Sequence, residues 1–157
     1  MVKVNFHKLN SIPNDKFIYA VICTKHEGLW IWCKNKARGT WEIPGGKRES
    51  GEDIEQAARR ELFEETGASK FELTAVNEYS VTIGEQTKFG RLFFAEVQAF
   101  EQIQMTDEIQ EIEGFSELPQ DLSFPQIQPL LLEYAIHWKM SQINNPKTKF
   151  SVDTNEN

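Results

Sequence analysis

Hydrophobic and polar positions alternate along much of the chain, and the changing period divides it into elements. Residues 16–24 and 29–33 are β-branched and aromatic runs on either side of His26-Glu27-Gly28, which predicts a hairpin. A polar segment runs from Lys34 to Thr40. Trp41-Glu42-Ile43-Pro44-Gly45-Gly46 then reads as a loop, because proline and paired glycines interrupt regular pairing. Residues 53–66 predict a helix, with Ser50 as N-cap, Asp53 three residues on, and Gly67 as the C-terminal stop. Residues 70–83 and 87–99 predict long strands about a turn at Gly84. Residues 100–114 are acidic, Gln-rich and loop-like, and Phe115 to Leu118 predict a short strand. Pro125 opens a second helix to Ile143, in which Leu130, Leu131, Tyr134, Ala135 and Trp138 form a core face at helical spacing. The first fifteen residues are mixed, with a turn signal at Pro13-Asn14-Asp15. Strands and helices in this order predict an α/β (α+β) sandwich with a mixed sheet between helices. The expected organisation is one domain over 1–143 and a polar, flexible tail over 144–157.

Length and charge narrow the class of protein. A chain of 157 residues is long enough for one self-sufficient core. Its apolar runs are far shorter than the ~18 residues of a membrane span. The first fifteen residues hold no apolar leader segment, so the expected location is cytoplasmic. With 17 basic and 24 acidic residues the formal charge is −7, which argues against a protein that coats duplex DNA. It leaves room for an enzyme that grips one phosphate chain through a metal. The two cysteines, Cys23 and Cys33, flank the hairpin turn and could face each other. Without an export signal they read as reduced core thiols.

The 53–66 helix carries the chemistry. Glu61, Glu64 and Glu65 stand at i, i+3 and i+4, so they share one face. Like charges at that spacing cost about 0.2–0.5 kcal/mol per pair. The last turn of a helix disfavours each anion by roughly 0.3–1 kcal/mol more. Both terms oppose the cluster unless a cation neutralises it. The donors are all oxygen, with no Cys or His nearby, which favours Mg²⁺ or Mn²⁺ over zinc. Gly45 and Gly46 let backbone approach closely ahead of the helix. The alternative is an acidic face that binds nothing.

The spacing resembles the Nudix box, GX5EX7REUXEEXGU, in which U is a bulky aliphatic residue. Gly46 is followed after five residues by Glu52, and after seven more by Arg60-Glu61-Leu62. One residue further come Glu64-Glu65, then one residue, then Gly67. Only the last position departs, with Ala68 in place of a larger aliphatic. The preceding Trp41 to Lys47 segment is similar to that of MutT-like members. The resemblance implies a Nudix α/β/α sandwich and an enzyme that cleaves a nucleoside diphosphate linked to another group. It implies metal-activated water attacking phosphorus, with Glu61, Glu64 and Glu65 as metal ligands and the Gly45 carbonyl assisting. Arg60 and Glu52 would be the ion pair that steers those ligands. Glu64 would be catalytic as well as a ligand, and the general base would be a box glutamate or a carboxylate of the later acidic segment, with Glu108 first and Glu111 and Glu113 as alternatives.

The MutT-like resemblance favours a nucleoside triphosphate, with 8-oxo-dGTP as the leading case. Length and the hairpin ahead of the box are also similar to YtkD-type members, which are associated with nucleotide cleansing and with trimming RNA 5′ ends. An RNA 5′-triphosphate is therefore the alternative substrate, and a silent nucleotide-sensing domain the alternative class. Arg48 departs from MutT relatives, which commonly carry an aliphatic residue there. Trp41 stacks on a base or packs beneath the sheet. Trp30 and Trp32 read as core or cleft wall. Lys47, Arg38 and Arg91 are candidate phosphate contacts, or else plain surface charge. Family members often dimerise, so a homodimer is a weak expectation.

Overall fold

A computed structural model describes residues 1–101 and 108–144. The strands are β1 (Val2–His7), β2 (Phe17–His26), β3 (Leu29–Asn35), β4 (Trp41–Glu42), β5 (Gly45–Lys47), β6 (Ala68–Ile83), β7 (Gln86–Phe100) and β8 (Ile109–Phe115). The helices are α1 (Ile54–Thr66) and α2 (Gln128–Asn144), with a single 3-10 turn at Asn14–Lys16. The strands join in one sheet in the order β1-β6-β7-β2-β3-β4, with β5 paired to β2 and β8 to β3. The β2–β7 pair is parallel and the other pairs are antiparallel, so the sheet is mixed.

Central strands explain the layering. Ala20 and Ile22 of β2 face one core with Phe93 and Ala95 of β7 and with Ile54, Ala57, Ala58 and Leu62 of α1. Val21 and Cys23 face the opposite core with Leu92 and Phe94 and with Leu131, Leu132 and Ala135 of α2. Successive residues point to opposite sides, so strands covered on both faces are apolar at nearly every position. The result is the helix–sheet–helix sandwich that the sequence predicts.

Several local expectations are corrected. The α1 N-cap is Asp53, not Ser50. The Asp53 carboxylate accepts from the Gln56 amide (2.8 Å), and the Gln56 side chain accepts from the Asp53 amide (2.9 Å), a closed capping box. Val2–His7 forms a strand along β6. Trp41–Glu42 and Gly45–Lys47 are short strands, held by β3 and β2. The segment expected to be a loop contains β8, which pairs with β3 as far as Phe115, so 116–118 are not a strand. The expectations over 102–107 and for the tail over 145–157 lie outside the described residues. Helix α2 starts at Gln128 rather than Pro125. Its core face is Gln128, Leu131, Leu132 and Ala135, whereas Leu130 and Tyr134 are exposed. Tyr134 still stacks on Phe6 with ring centroids 4.1 Å apart.

The two cysteines do not face each other. The β2–β3 ladder ends at Thr24–Ile31; beyond it Cys33 pairs with Glu42 of β4 and Ile112 of β8, while Cys23 pairs with Phe94 of β7. They point to opposite sides of the sheet: Cys23 into the α2 core, and Cys33 towards α1, where its thiol donates to the Glu65 carbonyl at 3.9 Å. Both are free, and burial pushes both thiols up, holding them protonated. No described helix is long and apolar enough to cross a membrane.

Candidate active site

Helix α1 presents its carboxylates beside the Gly45-Gly46 strand. Gly67 ends the helix in a left-handed turn (φ 80°), with its amide donating to the Phe63 carbonyl at 2.8 Å. That stop leaves Glu61, Glu64 and Glu65 on the final turns, facing β5. The Gly45 amide donates to Oε1 of Glu65 at 3.0 Å. A methyl group at Gly46 would run into the Glu61 carboxyl, so glycine here leaves that carboxyl room to stand against β5.

Arg60 organises the cluster. Its Nε and Nη2 hold both oxygens of Glu52, at 2.6 and 2.9 Å, in a forked ion pair. Its Nη1 donates to Oε2 of Glu61 (3.1 Å) and Oε1 of Glu64 (3.2 Å), and its Nη2 to the Lys47 carbonyl (3.0 Å). The Arg60 hydrogen bonds and the Glu49 amide hold the Glu52 carboxyl down at about 2. Glu61 is pushed up to about 7, mainly by burial and further by the charges of Glu64 and Glu108, against the opposing pull of Arg60. Glu65 is pushed up to about 8, mainly by burial, with Glu61, Glu42 and Glu108 adding repulsion.

Glu61, Glu64 and Glu65 line a cleft of about 650 Å³, with Glu52 behind Arg60 rather than on it. Glu108, at the foot of β8, lies on it too, and its charge is felt by both Glu61 and Glu65. The cleft also contains Arg38 and Lys47. Arg38 pairs with Glu42 at 3.2 Å and lies over the Phe124 ring at 5.2 Å. Two expected contacts are placed elsewhere. Trp41 does not line the cleft; its ring packs edge-on against Phe115 (4.9 Å) in the α2-side core, because β4 is pinned to β3. Arg91 faces a separate cavity at the start of α1, where its Nε donates to the fully buried Glu78 at 2.7 Å. Of the alternatives to Glu108, Glu111 pairs with Lys34 at 3.8 Å, and neither Glu111 nor Glu113 lines the cleft.

Glu42, Phe124 and Gln128 also line the cleft and are not among the residues expected from the sequence. Glu42 is mostly buried against Arg38, and Gln128 Oε1 accepts from the Ile43 amide at 2.7 Å. Glu42 could have been noticed as a charge flanked by Trp41 and Ile43. Phe124 and Gln128 reach the cleft only through tertiary contacts.

Among the described residues, no three acidic, His or Cys side chains converge as a ready-made metal cage. Oε2 of Glu61 and Oε1 of Glu64 are held by Arg60, and Oε1 of Glu65 by Gly45. The donor chemistry nevertheless fits a hard divalent cation: oxygen only, half-buried, and crowded with like charge.

Residues 16–133 match the model of the NUDIX domain, and the chain belongs to the Nudix hydrolase family. It is 37% identical over 122 residues to YtkD of Bacillus subtilis (strain 168), provisionally named an 8-oxo-dGTP diphosphatase, covering 78% of this chain and 75% of that protein. A 56-residue stretch is 41% identical to an RNA pyrophosphohydrolase of Vibrio atlanticus, covering 36% of this chain and 32% of that protein. The fold resembles the crystal structure of a Bacillus subtilis pyrophosphohydrolase, with a TM-score of 0.72, 24% identity, and 85% and 90% of the two chains covered.

Proposed function

We propose that the protein is a divalent-metal-dependent nucleoside triphosphate pyrophosphohydrolase acting on a purine triphosphate such as 8-oxo-dGTP. The observation that carries this reading is one cleft that joins the carboxylates of α1 to a wall of Arg38, Lys47 and Phe124. The aromatic ring suits a planar base, and the two cations suit a phosphate chain. The named relatives support the class: one carries a diphosphatase name across most of both chains.

Glu61, Glu64 and Glu65 would hold Mg²⁺ or Mn²⁺, with the Gly45 carbonyl as a further oxygen. When bound, the cation neutralises phosphate charge and makes a neighbouring water more acidic. Arg60, fixed by Glu52, keeps Glu61 and Glu64 at fixed positions on the helix face. Arg38 and Lys47 orient the phosphate chain and offset its charge. Phe124 bounds the base. Glu108 takes the proton from the water that attacks phosphorus, and the products are a nucleoside monophosphate and pyrophosphate.

An RNA 5′-triphosphate is the second reading, favoured by the local match to an RNA pyrophosphohydrolase. The test is Mg²⁺-dependent hydrolysis of ordinary and 8-oxo-guanine triphosphates, ADP-ribose and 5′-triphosphorylated RNA. The account expects preference for a triphosphate nucleotide; preference for RNA replaces it with the second reading. In the same assay Glu108→Gln should lower kcat by about 10²–10⁴, the span of general acid–base contributions. Its Mn²⁺ affinity should stay within a few-fold of the unaltered protein. Unchanged turnover would remove Glu108 from the reaction.

A further inference from the structure

We infer that Arg48 and Asn14 are positioning residues that tie the metal-ligand face of α1 to the N-terminal segment. The inference rests on the reading that Glu61, Glu64 and Glu65 hold a divalent cation.

Arg48 lies on the cleft, yet its guanidinium turns away from it, to main-chain oxygens. Nε donates to the Phe17 carbonyl (3.1 Å), Nη1 to the Glu52 carbonyl (3.1 Å) and Nη2 to the Asp15 carbonyl (3.4 Å). Its own amide donates to the Ile18 carbonyl at 2.8 Å. Arg48 thus fastens the loop that carries Glu52 to residues 15–18. Asn14 makes a second fastening from the same segment. Its Nδ2 donates to the same Glu52 carbonyl (3.3 Å), and its Oδ1 accepts from the Ile54 amide in the first turn of α1 (2.9 Å). The Glu52 carbonyl therefore receives donors from two directions.

Glu52 is where this fastening meets the site. Its side chain accepts from the Glu49 amide (2.8 Å) and takes the Arg60 fork. Arg60 reaches on to Glu61 and Glu64. The connected path is Asp15–Phe17, Arg48 and Asn14, Glu52, Arg60, then the two ligating carboxylates. Within Glu52 the path passes from the main-chain carbonyl to the carboxylate through the residue itself; the links on either side of it are hydrogen bonds, several of them charge-assisted. Groups that orient ligands from behind typically change metal affinity by about 10–100-fold when removed. Arg48 and Asn14 are one step further out than Glu52, so an effect at or below the low end follows.

The test is Mn²⁺ binding, read from loss of the free-ion electron paramagnetic resonance signal, at a temperature well below each variant's Tm. No turnover enters this readout. Arg48→Met should raise the Mn²⁺ dissociation constant about tenfold, and Asn14→Ala several-fold. Arg59→Met removes an exposed pair with Glu55 and a cation–π contact with Phe71 (5.7 Å), neither of which reaches the ligand face, and should leave binding unchanged. Glu64→Gln separates the two ideas. If Glu64→Gln loses binding while Arg48→Met and Asn14→Ala bind as the unaltered protein does, the positioning role is overturned and the metal site stands. If Glu64→Gln binds normally, the metal-site reading itself fails, and this inference with it. Should Arg48→Met not fold, Asn14→Ala alone decides, by the same criterion.

Discussion

Glu61 and Glu65 are held away from their ordinary behaviour by burial and by each other. Their carboxyls rise to about 7 and about 8 in the folded protein. The folded chain therefore keeps protons that the unfolded chain gives up above the usual carboxylate value of 4.5. Stability rises with pH only where the unfolded state binds more protons, so here it must fall. The stability linked to these two protons is fully present below about pH 4.5 and is lost as pH rises through about 8. Metal-free protein should accordingly show a Tm that declines over that window, and Mg²⁺ should reverse the decline at its upper end. The double variant Glu61→Gln, Glu65→Gln should flatten the profile. An identical pH profile for the variant and the unaltered protein would contradict the linkage. The candidate ligands were legible at this scale because like charges in the last turn of a helix stand out against local preference. Phe124 and Gln128 gave no such signal: each is an ordinary residue for its local setting, and only the fold brings it to the cleft.

At the scale of elements, the site depends on how β5 and α1 meet. Gly46→Ala would press a methyl against the Glu61 carboxyl, the mobile end of a side chain rather than backbone. The fold should absorb this while Glu61 is displaced. The expected outcome is a Tm close to that of the unaltered protein with clearly weakened Mn²⁺ binding; retained affinity would show that Glu61 does not need its present position. Asp53→Ala opens the capping box and should cost about 0.5–2 kcal/mol by chemical denaturation. That box also shows where local reading ran short. Ser50 followed by Asp53 satisfied the signature, but Asp53 with Gln56 satisfied it again three residues later, and Asn14 fixes the helix start at Ile54. In the same way β8 looked like an acidic loop. Its Glu111, Glu113 and Gly114 lower strand preference, and pairing with β3 overrides them. Alternation in Val2–His7 was present in the sequence, though too short to stand out before its partner β6 was known.

For the whole molecule, the sheet acts as a rigid floor between two helices of different use. Helix α2 closes one core, while α1 closes the other and also turns its acidic edge to the cleft. The sandwich was legible because β2 is apolar on both faces and the long β6–β7 hairpin alternates. Strand order was not, because the parallel β2–β7 pairing joins segments some seventy residues apart. Net charge is −7, yet Arg38 and Lys47 stand in the cleft itself, so a polyanion entering it would meet local cations inside an acidic protein. The most direct measurement is release of pyrophosphate from 8-oxo-dGTP in the presence of Mg²⁺, comparing the unaltered protein with Glu64→Gln. The account predicts a nucleoside monophosphate and pyrophosphate as products, and at least a ~10²-fold loss in the variant, as for removal of a group that stabilises developing charge. Equal rates for the two proteins, or no cleavage of any nucleoside triphosphate by the unaltered one, would contradict it.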